Sequence, residues 1–88
     1  MEKHINNLLG VLQQAPADPC PQWQQGLLLR IRNLIEDMAY GSPSSNWKSQ
    51  LESFITELNG FKAQSRPIPN EGYIDKVTHG IRLILTEP

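Results

Sequence analysis

The chain has 88 residues, enough for one domain with a modest core and too few for two. Eight basic against nine acidic residues leave a net charge of −1, which speaks against a nucleic-acid or membrane-surface binder driven by bulk electrostatics and against an acidic mimic of DNA. One cysteine, Cys20, excludes a disulfide-stapled scaffold, and a 39% hydrophobic fraction is low for a globular protein without reaching the disordered range.

The first segment with a helical period covers residues 2–14, where Met1, Ile5, Leu8, Leu9 and Leu12 share a face. Its apolar run is short, interrupted by Gly10, and lacks a small-residue cleavage site, so it does not resemble a signal peptide. The chain starts at a methionine with no tag-like stretch and is read as full length and cytoplasmic. No segment approaches the roughly 18 apolar residues of a membrane span. Gly10 weakens the first helix by about 1 kcal/mol relative to alanine, so packing has to hold it. The stretch APADPCP, residues 15–21, then carries three prolines; each pushes its predecessor out of the helical region, giving a stiff extended connector.

The strongest pattern is WQQGLLLRIRNLIEDMAY, within a helix expected over 22–40. At about 100° per residue, Leu27, Leu28, Ile31, Leu34, Ile35 and Met38 fall within about 120° of one another, with Trp23 at their edge. Pro21 suits the first helical position, and Gly41 a left-handed residue closing the helix. Leu29 and Tyr40 break the pattern: they project opposite the stripe, eleven residues apart and nearly in line. A helix apolar on a second side either sits inside a bundle or has a partner.

A short turn, GSPSS, makes the next helix an antiparallel neighbour. That helix is expected over 45–60, with Trp47, Leu51, Phe54, Ile55, Leu58 and Phe61 in one stripe, Ser44 or Ser45 as its cap, and Asn59-Gly60 as a stop or kink. A second proline-rich connector, QSRPIPNEG, precedes a helix over 70–85 in which Tyr73, Ile74, Val77, Ile81, Ile84 and Leu85 share a face and Asn70 is the expected cap. The tail GIRLILT also alternates, so a terminal strand competes there, but a strand with no partner strand is the weaker reading. The expected fold is all-α, a single domain over 1–88 built as a small irregular bundle of four amphipathic helices.

Chemistry is scarce. Asp75 and His79 stand i, i+4, a spacing at which a carboxylate can orient an imidazole, but on the polar side of their helix this reads as a surface pair. Cys20 has no neighbouring basic group to lower its pKa. Two histidines at opposite ends and one cysteine do not make a sequence-local zinc site, the glycines are scattered singly, and no metal or cofactor is expected. Helix, short turn, helix is geometrically near a helix-turn-helix, yet Lys48 is the only basic residue of the third helix before Lys62, so few phosphate contacts are available.

By elimination the expected function is non-catalytic protein binding, of the inhibitor, immunity, antitoxin, anti-defence or adaptor kind, acting by steric occlusion. A small nucleic-acid-associated regulator and a self-associating protein, with Leu29 and Tyr40 in a symmetric dimer, are the alternatives. The candidate contact residues are Leu29, Tyr40, Arg32, Glu36, Trp23, Tyr73 and Leu83. Tyr, Trp and Arg are the types that most often dominate interfaces; the competing reading is that each aromatic simply closes the end of the bundle.

Overall fold

The computed structural model describes residues 2–41, 44–63 and 68–86. Four helices account for most of them: α1 (Glu2–Gln13), α2 (Gln22–Tyr40), α3 (Trp47–Lys62) and α4 (Glu71–Thr86). Met1 and parts of both later connections, residues 42–43 and 64–67, lie outside the described residues. The all-α expectation holds, and residues 81–86, where a strand competed, are the last turns of α4.

The helices pack as a ring. α1 meets α2 and α4, α3 meets α2 and α4, and the backbones of the diagonal pairs stay more than 8 Å apart between Cα atoms. Their directions follow from which residues meet. Trp23 at the start of α2 stacks on Phe61 near the end of α3, and Arg30 in mid-helix meets Glu57. Glu2, Ile5 and Asn6 at the start of α1 border Met38 and Ala39 at the end of α2. Tyr73 in the first turn of α4 reaches Val11 near the end of α1, and Gly80 lies against Leu8. Every neighbouring pair is therefore antiparallel, an up-down-up-down bundle. The radius of gyration, 12.6 Å, is close to the roughly 12 Å expected of a compact chain this long.

The stripes read from the sequence form the core. Ile5, Leu8, Leu9 and Leu12 from α1, Leu27, Ile31, Leu34 and Ile35 from α2, Leu51, Phe54 and Leu58 from α3, and Ile74, Val77, Ile81 and Ile84 from α4 are buried in one cluster. Burying a side chain of this size contributes about 1.5–3 kcal/mol each, which is what carries a chain with so few strong caps.

The helix bounds agree with expectation to within two residues, but the capping differs. Pro21 precedes α2 as its N-cap, in extended conformation (ψ 161°), and does not occupy the first helical position; its carbonyl accepts from the Gln24 and Gln25 N–H groups. Gly41 is extended (φ −147°), not left-handed, and donates its N–H to Asp37. α3 starts at Trp47, after Asn46, with no side-chain cap bond; the serine hydroxyl of Ser44 joins a small cluster, donating to Asn46 Oδ1 while Gln50 Nε2 donates to both. α3 also runs through Asn59-Gly60 to Lys62. Phe61 stacked on Trp23 and Lys62 paired with Asp75 anchor that extra turn from outside the helix. The only residue of positive φ among the described non-glycines is Asn70 (φ 59°).

Candidate protein-binding face

The outer face of α2 points away from the ring. The large hydrophobic side chains left exposed among the described residues are Leu29 (58%) and Tyr40 (73%), both on this face. At that exposure α4 does not cover them, although its Tyr73 lines a hollow shared with Leu29. At a rise of about 1.5 Å per residue, their separation of eleven positions spans about 16 Å along the helix. Between them Arg32 and Glu36 form an exposed i, i+4 ion pair at 3.7 Å, a contact worth a few tenths of a kcal/mol.

A hollow borders this ridge on each side. The one of about 370 Å³ lies toward α1 and the first connector and is walled by Leu12, Pro16, Leu28, Leu29, Arg32 and Tyr73. The one of about 470 Å³ lies toward α3 and is polar, walled by Arg30, Asn33, Asp37, Gln50 and Glu57 among others. There Arg30 holds Glu57 with both terminal nitrogens, at 3.0 and 3.4 Å, and its guanidinium lies 5.9 Å from the centre of the Phe54 ring. Arg30 thus lines the hollow with an exposed guanidinium that is paired with Glu57 and within cation–π range of Phe54.

The seven candidate contact residues separate into two groups. Leu29, Arg32, Glu36 and Tyr40 lie along the exposed face of α2, and Tyr73 joins them as the far wall of the smaller hollow. Trp23 and Leu83 do not. Trp23 is half-buried, stacked on Phe61 with ring centres 3.9 Å apart and planes 20° from parallel, on the seam between α2 and α3. Leu83 is half-buried on α4, across the ring from α2. Tyr73 also has a structural bond, its hydroxyl donating to the Val11 carbonyl at 3.1 Å; burial, with a smaller contribution from Cys20, holds its phenol above the usual pKa.

Sequence reasoning missed a polar junction at the opposite end of the bundle from Tyr40. Gln24 is fully buried, its Nε2 donating to the Pro69 carbonyl and its Oε1 accepting from Asn70 Nδ2 at 3.2 Å. Asn70 stands at the expected cap position, directly before α4 with its carbonyl accepting the Ile74 N–H, but its side chain turns to the first connector. Its Oδ1 accepts the Asp18 N–H at 2.9 Å and its Nδ2 also points to the Asp18 carbonyl at 3.1 Å and the half-buried Cys20 sulfur at 3.8 Å. Gln25 Nε2 donates to the Cys20 carbonyl at 2.8 Å. The two proline-rich connectors are thus fastened to each other and to the start of α2. One signal was present: Gln24 falls inside the apolar sector of α2, and a polar group there needs a buried partner.

No constellation for catalysis assembles at Asp75 and His79. The Asp75 carboxylate meets Lys62 Nζ at the end of α3, and that bond holds the lysine above its ordinary pKa. Among the described residues no three His, Cys, Asp or Glu side chains converge as metal ligands, and no helix is long and apolar enough to cross a membrane. Compared with protein-family models, with curated proteins and with solved structures, the chain finds no match.

Proposed function

We propose that the chain is a non-catalytic protein-binding module whose contact surface is the outer face of α2, working by occlusion in the manner of an inhibitor, immunity, antitoxin or anti-defence protein of the cytoplasm. One observation carries this reading: Leu29 and Tyr40 stand exposed on a single helix face while every other apolar stripe of the bundle is closed. The charged pair Arg32 and Glu36 lies between them, so the face offers an apolar contact at each end and a polar one in the middle. The near-zero net charge fits recognition by shape and local contacts more than by long-range steering.

The test is capture of protein from native extract by the immobilised chain, compared with Leu29→Asp and Tyr40→Ala. Both side chains are exposed, so the variants are expected to keep the helical circular-dichroism spectrum and the unfolding midpoint within about 0.5 kcal/mol. Capture is expected to disappear. Full capture by both variants, or capture that collapses between low and moderate salt as phosphate-driven binding does, would overturn the reading.

A further inference from the structure

The same face carries both halves of a self-complementary contact. Tyr40 is the most exposed large hydrophobic side chain described, a knob at the end of α2. About 16 Å away on the same face, Leu29 and Arg32 edge the smaller hollow, whose floor and far wall include Leu28, Pro16 and Tyr73. A protrusion and a concavity on one surface patch, side by side, meet the requirement of an isologous interface, in which residue i touches residue j and j touches i.

We propose that the occupant of this face is a second copy of the chain, with the two α2 helices antiparallel about a two-fold axis at the level of Leu34. This rests on the reading of the α2 face as a protein-binding surface and names its partner. The axis sets Tyr40 of each copy into the hollow beside the partner's Leu29. On the flank facing α1 it sets Arg32 beside the partner's Glu36, and on the flank facing α3 it sets Arg30 near the partner's Asp37. In antiparallel helices each flank faces its own counterpart, so charges pair only if opposite signs sit on the same flank at equal distances from the axis. Arg32 and Glu36 lie two residues either side of Leu34 on one flank; Arg30 and Asp37 lie four before and three after it on the other. The midpoints of all three pairs, one apolar and two charged, fall within half a residue of Leu34. Gly26, where a side chain would meet nothing within 4 Å, adds no bulk to oppose the approach of the second helix. With one aromatic anchor on each side the interface is small, and its dissociation constant is expected on the order of micromolar.

Sedimentation equilibrium of the whole chain over a wide concentration range tests this. The expected mass moves from the 10.0 kDa monomer toward twice that value. Tyr40→Ala is expected to raise the dissociation constant about tenfold or more. Arg32→Glu and Glu36→Arg each place like charges against one another and are expected to stay monomeric alone. Mixed in equal amounts they are expected to associate, because each then meets its opposite; a role confined to the monomer's own i, i+4 pair gives no such rescue. Circular dichroism of each variant establishes that it is folded. A wild-type mass of one chain at the highest concentration, an unchanged dimer in Tyr40→Ala, or a mixture that stays monomeric would each overturn the proposal. A monomer that still captures another protein through Leu29 and Tyr40 sinks the self-pairing and leaves the binding face standing.

Discussion

At the scale of single residues, Asn70 concentrates more of the tertiary structure than any other side chain outside the core. It sits at φ 59°, a left-handed conformation that asparagine tolerates better than most residues, and its amide joins Asp18, Cys20 and Gln24 across more than forty residues of chain. Two substitutions separate these roles. Asn70→Gly keeps the backbone conformation and loses the bonds, with an expected cost of about 1–3 kcal/mol because Gln24 Oε1 is left buried without its donor. Asn70→Ala loses the bonds and adds left-handed strain, and is expected to be about 1 kcal/mol worse again. Urea unfolding of the pair checks this; equal midpoints would mean that the backbone strain is not borne there. The sequence suggested Asn70 as a local cap because such a cap depends only on neighbours. The bonds it makes depend on where the first connector comes to rest, which no local pattern encodes. Gln24 escaped notice for the related reason that glutamine is ordinary on a helix surface, and only its position inside the stripe marked it.

At the scale of the helix, period and bounds were legible to within two residues and the capping was not. The four stripes follow from side-chain angle alone, and every residue of the expected faces that the structure describes is buried or packed on the core. Ends depend on competition between local preference and outside contacts. Asn59-Gly60 favours stopping α3, a preference of about 1 kcal/mol for the glycine, and the Trp23–Phe61 stack with the Lys62–Asp75 pair outweighs it. The candidate face shows the same division: the second apolar line of α2 was visible as angles, whereas the hollow beside it needed α1, the connector and Tyr73 to be placed first. Glycines inside helices give a sharp test of how close the helices approach. A Cβ on Gly80 would lie 2.9 Å from Leu8 Cδ1 and 3.3 Å from Leu8 Cβ, and Leu8 is itself fixed in the core. A Cβ on Gly10 would meet nothing within 4 Å. Gly10→Ala is therefore expected to stabilise by about 0.5–1 kcal/mol, from helix propensity. In Gly80→Ala the same gain is opposed by an overpacking cost of about 1–3 kcal/mol, so it is expected to destabilise. Thermal midpoints moving in opposite directions are the signature; two rises would place α1 and α4 further apart than described.

At the scale of the whole molecule, two titrating groups tie the bundle's stability to alkaline pH. Lys62 is held above the ordinary lysine pKa chiefly by its bond to Asp75, and Tyr73 above the ordinary tyrosine pKa chiefly by burial. Both keep their protons more tightly in the folded chain, so the stabilisation is complete below the unfolded-state values and is lost as pH rises through the folded ones. Urea midpoints are expected to be insensitive to these groups near neutrality and to fall above about pH 10. Tyr73→Phe and Lys62→Gln are each expected to flatten part of that fall, and identical alkaline slopes in wild type and both variants would remove these groups as its cause. The ring order has a mechanical side as well. With neighbours antiparallel, α1 begins at the end of the bundle where α4 finishes, while the clasped connectors occupy the other end. A pull on Glu2 and Thr86 therefore loads the α1–α4 seam one rung at a time from its open end, as a zipper is drawn, instead of shearing all its contacts together. Drawing either terminal helix free also breaks its second seam, α1 on α2 or α4 on α3, before the load reaches the clasp at Asn70.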